Sequence, residues 1–195
     1  MPQLLTNYQS FNFSPQQISE AISQNNGSLI VSGILQKWDE KNANGRIYPK
    51  DILLREVAKY RQRIKENRST GELDHPDDPM ISLSNVSHRV LDVWTKDNGV
   101  YGKVEVLNTP SGNILRELFK AGISLGISSR GLGSLKKIDE STTQVQEDFD
   151  LICFDFVSDP STLGAFLQPI NESKLYSFDR YDKINSLIRD ILYEA

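Results

Sequence analysis

The stretch VSHRVLDVWTKDNGVYGKVEVLN, residues 86–108, constrains the fold of this chain more than any other. Two runs of alternating apolar and polar residues flank Asp97-Asn98-Gly99, the turn signal of an antiparallel hairpin. Further β-rich runs are SLIVSGILQKW (28–38), the glycine-punctuated ISLGISSRGLGSLKKI (123–138) and DLICFDFVSDPS (150–161), with the polar tip DESTTQVQED before the last. Helical spacing recurs over roughly 49–66, where Ile52, Leu53, Val57, Tyr60 and Ile64 share a face behind Pro49. It recurs in NTPSGNILRELFKAG, with Gly122 just past the end, and in the C-terminal YDKINSLIRDILYEA. One short helix is read around Pro15–Ser23. Five or six strands with three helices inserted between or after them, and no regular βαβ alternation, predict an α+β fold rather than a doubly wound parallel sheet.

At 195 residues the chain suits one well-cored domain. Its 38% hydrophobic and 25% charged residues are a globular composition. A net charge of −4 and a pI near 5.3 argue against a general nucleic-acid binder, which needs a basic surface. The N-terminus MPQLLTNYQSFNF lacks both a basic flank and a long apolar core, so neither secretion nor membrane insertion is expected. The single cysteine, Cys153, lies in the apolar run LICFDFV; it fits a reducing cytoplasm and is read as a buried, inert thiol. Two histidines and one cysteine at these separations do not make a metal site, and no cofactor is expected.

Three stretches carry chemistry. GELDHPDDP (71–79) places His75 among acids, glycine and prolines. A neighbouring carboxylate makes such an imidazole a better base or merely fixes its orientation. Glu72 and Asp74 flank it and read either as tuning groups or as solvated loop acids. In GISSRG, an extended chain over 122–129 puts Ile123, Leu125, Ile127 and Ser129 on one face and Ser124, Gly126 and Ser128 on the other. The first face reads as core and the second as small residues open to another chain. Ser128 is therefore the candidate nucleophile, with the amides of Ser129, Arg130 and Gly131 as the nearest oxyanion donors; the plainer reading is a bulged loop. Asp155 stands in the middle of an apolar strand, where a carboxylate must be paired. His75 would satisfy it as the orienting member of a triad; Arg130 or Lys136 would satisfy it equally well. His88, in VSHRV, is the alternative imidazole and reads more simply as a satisfied structural residue.

Taken in order, NGRIYP (44–49), GELDHPD, VSHRV with its hairpin, NTPSGNIL, GISSRGLGSL and DFVSDPS resemble the prohead core, or capsid maturation, proteases of T-even-type tailed phages. The resemblance covers roughly residues 28–162 of a single domain spanning 1–195, leaving 1–27 and 163–195 peripheral. It implies a partly open, mostly antiparallel β-barrel surrounded by helices, related to herpesvirus assemblin. It implies a serine endopeptidase with His75 and Ser128 at the motif histidine and serine. The assemblin relatives carry their third member where Asp155 sits, commonly as histidine or glutamate, and this chain departs from them there. The expected substrates are phage scaffold or core and major capsid proteins, cut inside the assembling prohead in the host cytoplasm, with a homodimer or higher assembly as partner. Cleavage after glutamate, with an aliphatic residue two positions earlier, would be served by a cation such as Arg130, Lys136 or Arg89. Self-cleavage sites of that pattern follow Glu194, in Leu192-Tyr193-Glu194, and Glu140, in Ile138-Asp139-Glu140. Leu115-Arg116-Glu117 also fits but falls within a helix. A catalytically inactive structural component of the prohead core is the alternative function; a third reading is a binding module whose GISSRGLG amides cradle an anion.

Overall fold

The computed structural model describes residues 15–76 and 78–170. Its elements in chain order are α1 (Pro15–Gln24), β1 (Leu29–Lys37), β2 (Arg46–Ile47), α2 (Lys50–Lys65), β3 (Thr70–Glu72), β4 (Val86–Lys96), β5 (Gly99–Val106), α3 (Pro110–Lys120), β6 (Gly126–Leu132), β7 (Leu135–Lys137), β8 (Thr143–Val145), β9 (Asp150–Val157) and β10 (Gln168–Pro169). The expected C-terminal helix lies outside the described residues.

The hairpin forms as its alternation predicts. Lys96 pairs with Gly99 across a two-residue link in which Asp97 takes φ +52°. This hairpin is the middle of a five-stranded sheet ordered β10-β1-β5-β4-β3, antiparallel throughout. The helices start where their sequence signals place them. Pro49 precedes α2 with φ −58°, and Leu53, Val57 and Tyr60 bury one face. Thr109 caps α3, its hydroxyl accepting from the Gly112 amide at 3.0 Å, with Pro110 in the first turn.

Two features differ from the sequence-based expectation. The extended run begins at Gly126 rather than 122: Gly122 takes φ +77° after α3, and Ile123, expected on the core face, is 45% exposed. The run also divides into two strands that enter different sheets. β6 pairs antiparallel with β9, while β7 joins β8 and β2 in a three-stranded sheet whose β2–β8 pair is parallel. The fold is thus mixed, with three helices and mostly antiparallel sheets among the described residues, and no continuous ladder closes a barrel. Isolated bridges nevertheless join the β6–β9 pair to both ends of the large sheet: Leu73 to Phe156 beyond β3, and Gly126 to Phe166 just before β10.

The core holds β9 from both sides. Phe154 and Phe156 project together, Phe154 edge-on to Tyr60 of α2 at 5.3 Å and Phe156 edge-on to Phe119 of α3 at 5.7 Å. Glu56 of α2, buried, accepts from the Leu151 amide at 3.1 Å, where the β6–β9 register slips between Arg130 and Gly131. Ile18, Ala165 and Leu167, outside the 28–162 stretch, are buried as well. The opposite face of β9, carrying Cys153 and Asp155, is left for the site.

Candidate active site

Asp155 is fully buried, and its position follows from strand phase: with Phe154 and Phe156 in the aromatic core, the residue between them faces the other way. Across the ladder it pairs with Ser128, and Cys153 pairs with Arg130. Facing residues of an antiparallel pair project on one side with Cβ atoms roughly 5 Å apart, so Ser128, Arg130, Cys153 and Asp155 form one patch. The loop after β3 brings the imidazole. Leu73 bridges to Phe156, the Asp74 amide donates to Phe156 O at 2.8 Å, and Asp74 takes φ +66° to turn the chain. His75 then lies with Nδ1 2.8 Å from Asp155 Oδ2.

A carboxylate only accepts, so Nδ1 carries the proton and Nε2 is the unprotonated nitrogen. The His75 side chain is 37% exposed while Asp155 is not exposed at all, which leaves the ring as the solvent-facing end of the pair. Of the three partners that the sequence leaves open for Asp155, His75 and Arg130 both pair with it, while Lys136 is exposed on β7. Arg130 Nη2 donates to Asp155 Oδ1 at 3.2 Å, and Nε lies 2.8 Å from Oδ2 as an ion contact without hydrogen-bond alignment. The Glu72 amide donates to Oδ1 at 2.9 Å and the Cys153 thiol approaches the same oxygen at 3.3 Å. Burial by itself would push the Asp155 carboxyl up, but the bonds from His75 and the Glu72 amide, with the Arg130 charge, hold it below its ordinary value. Cys153 is buried, and desolvation followed by the Asp155 charge pushes its thiol up.

Ser128 is 4% exposed, and its Oγ is hydrogen-bonded to Ser161 Oγ at 3.0 Å rather than to an imidazole. Ser161, in the turn after β9, ends the DFVSDPS stretch, which carries no local signal of this contact. Its neighbourhood depends on a return of the chain that periodicity does not encode. The amides divide by strand phase. Ile127 N donates to Ala165 O, away from β9. By period-two alternation the Ser129 amide faces that same edge, whereas the Arg130 amide faces the β9 ladder. Gly131 lies beyond the bulge, and an added Cβ there would meet Asp150 O at 2.6 Å.

The other candidates are placed as follows. His88 is fully buried in β4, with Nε2 donating to Phe154 O at 2.9 Å and Nδ1 2.9 Å from the Ser87 hydroxyl. Arg130, considered as a cation for an acidic substrate, is buried and engaged by carboxylates, and Arg89 is paired with Glu105 at 2.6 Å. Lys136 is exposed on β7. Glu140 is exposed in the β7–β8 turn; Glu194 lies outside the described residues. Glu72, one of two acids flanking His75, is fully buried rather than solvated, held against Arg130 of β6 and the Ser82 amide. Nothing local in the sequence signals that.

The comparisons with known proteins agree with the resemblance carried by the motifs. The profile of the prohead core protein serine protease family matches residues 15–175. The prohead core protein protease of Enterobacteria phage T4 is 34% identical over 157 residues, covering 77% of this chain and 74% of that protein. The solved structure of the bacteriophage T4 capsid assembly protease superimposes with a TM-score of 0.66 at 33% identity, covering 68% of this chain and 84% of the other. With an imidazole–carboxylate pair beside a strand serine and a family match over most of its length, this chain belongs to the prohead core protein serine protease family.

Proposed function

We propose that the chain is a serine endopeptidase in which Ser128 is the nucleophile, His75 the general base and Asp155 the residue that orients the base. The observation carrying this reading is the 2.8 Å contact of His75 Nδ1 with the carboxylate whose cross-strand partner is Ser128. In the reaction Ser128 Oγ attacks the peptide carbonyl carbon and its proton passes to His75 Nε2. The imidazolium, stabilised by Asp155, gives that proton to the leaving amine as the C–N bond breaks. Water then hydrolyses the acyl-enzyme by the same proton route in reverse. The edge-facing amide of Ser129 is the oxyanion donor best supported by strand phase, ahead of Arg130 and Gly131, and such a donor is worth about 3–4 kcal/mol.

The substrates are scaffold or core and major capsid proteins, cut after glutamate inside the assembling prohead in the host cytoplasm, by a homodimer or higher assembly of this chain. With Arg130 and Arg89 already paired, Lys136 is the cation left for glutamate recognition among the three considered from sequence. The two bridges that join β6–β9 to the large sheet support a partly open barrel of the assemblin kind.

A second reading draws on the Ser128–Ser161 hydrogen bond: a structural core component that keeps the residues but does not turn over. Fluorophosphonate labelling and scaffold cleavage by wild type, Ser128→Ala and His75→Gln separate the two. Labelling of wild type alone, with loss of cleavage by about 10³-fold or more in both variants, is the expected result. Near wild-type cleavage by Ser128→Ala overturns the nucleophile assignment, and an unlabelled, silent wild type in assembled proheads favours the structural reading.

A further inference from the structure

The acidic residue two positions into GELDHPDDP is unused by this mechanism, yet it is buried beside it. Glu72 Oε2 lies 3.2 Å from Arg130 Nη2, an ion contact without a hydrogen bond of its own, and Glu72 Oε1 accepts from the Ser82 amide. Arg130 Nη1 donates to the carbonyls of Asp78 at 2.7 Å and Met80 at 3.4 Å. Glu72 and Arg130 therefore hold the far side of the loop that carries His75, while Asp155 holds the imidazole itself. The same guanidinium touches both carboxylates.

Buried ions tolerate little imbalance. Behind His75 stand two carboxylates, Glu72 and Asp155, and one guanidinium, Arg130, so the cluster carries one net negative charge when His75 is neutral. Proton transfer from Ser128 to His75 adds a positive charge and balances it. We propose that Glu72 is a positioning residue of the reaction: held by Arg130 and the Ser82 amide, it docks the loop that carries His75 so that the imidazole meets Asp155. This inference rests on the reading of His75 as the general base and deepens it. Among the described residues, the charged and titratable groups of this cluster and its surroundings are Asp155 and Cys153 of β9, Arg130 of β6, Glu72 of β3, His88 of β4, and Asp74 and Asp78 of the His75 loop. Of these, His88 is held neutral by burial, Cys153 is protonated, and Asp78 meets Arg130 through its carbonyl.

The test follows the His75 Nδ1–H proton, hydrogen-bonded to Asp155, by NMR in a Ser128→Ala background, where no cleavage is needed. With only two histidines in the chain, a His75→Gln control assigns the signal. Glu72→Gln is expected to broaden or abolish that signal as the loop undocks from Arg130. The active enzyme carrying Glu72→Gln should lose about tenfold in kcat, with KM changed far less. Glu72→Asp, which keeps the carboxylate, should recover part of both the signal and kcat. An Nδ1–H signal unchanged by Glu72→Gln, or a loss that falls on KM rather than kcat, overturns the proposal. A lost signal in an enzyme whose Ser128→Ala variant still cleaves would instead overturn the nucleophile assignment and leave the positioning role standing.

Discussion

His88 shows how a single buried side chain can set the acid limit of the molecule. It donates to Phe154 O, accepts from Ser87, and meets the Phe156 ring edge-on at 4.7 Å, so the neutral ring is fully satisfied. Gly71 is glycine for the same reason, since a Cβ there would stand 2.0 Å from Phe154 O and 2.5 Å from His88 Nε2. Burial pushes the His88 pKa down to about 4, opposed by the Phe154 carbonyl and the Asp155 charge. The unfolded chain protonates this ring near pH 6.5, so between about 6.5 and 4 the unfolded state binds the extra proton. Stability is complete above the unfolded value and falls as pH drops through that window. Urea unfolding should therefore show a loss of about 2 kcal/mol between pH 7 and pH 5. His88→Gln should flatten that slope, whatever it does to stability at pH 7; an equally steep slope in the variant refutes the assignment. The depressed Asp155 carboxyl acts lower, its stabilisation being present above the ordinary carboxylate value and lost as pH falls through its folded one.

Helix α3 shows what an element can and cannot reveal in its own sequence. Thr109, Pro110 and Gly122 mark its ends, and each does the work its type suggests: cap, first-turn residue and left-handed exit. Its interior glycine looks like a defect that alanine should repair by about 1 kcal/mol of helix propensity. The packing says otherwise. A Cβ on Gly112 would lie 2.0 Å from Leu107 O and 2.7 Å from Ser87 O, both backbone atoms that cannot rotate aside. Gly112→Ala should thus cost about 2–3 kcal/mol in chemical denaturation, the overpacking term exceeding the propensity gain. Gly122→Ala, with open space but φ +77°, should cost only about 1 kcal/mol of backbone strain. If Gly112→Ala is neutral or stabilising, the helix does not sit this close to the β5 exit. The same division governs the strands. The hairpin, the two helix starts and the face assignment of Ser128 and Asp155 rest on turn chemistry and period-two phase, both local. The late start of β6, the pairing of β2 with β8 and the burial of Glu72 arise from contacts between distant segments, which no window of sequence contains.

At the scale of the whole molecule, the β6–β9 pair links the two ends of the large sheet, and the expected nick would fall between these two strands. The Glu140–Ser141 bond lies in the β7–β8 turn, where residues 138–141 are exposed. Leu115-Arg116-Glu117 satisfies the same pattern inside α3 with Leu115 fully buried, so cutting there requires unfolding the helix. Local opening is what a protease must wait for, and it costs least where few buried contacts are made. The Glu140 turn is held by modest polar contacts: Ser141 N to Asp139 Oδ1 at 2.8 Å and Lys41 Nζ to Ser141 Oγ at 2.8 Å. Incubated wild type should therefore yield fragments ending at Glu140 and beginning at Ser141, seen as two masses under denaturing conditions. Because the β6–β9 ladder pairs residues 126–132 with 150–157, on either side of the nick, the fragments should still migrate as one particle under native conditions. Ser128→Ala and Glu140→Gln should each stay uncut at that bond, the first by losing the nucleophile and the second by losing the acid. Identical intact masses for wild type and Ser128→Ala after long incubation would rule out this processing, while cleavage after Glu117 instead would show that α3 opens more readily than its buried face allows.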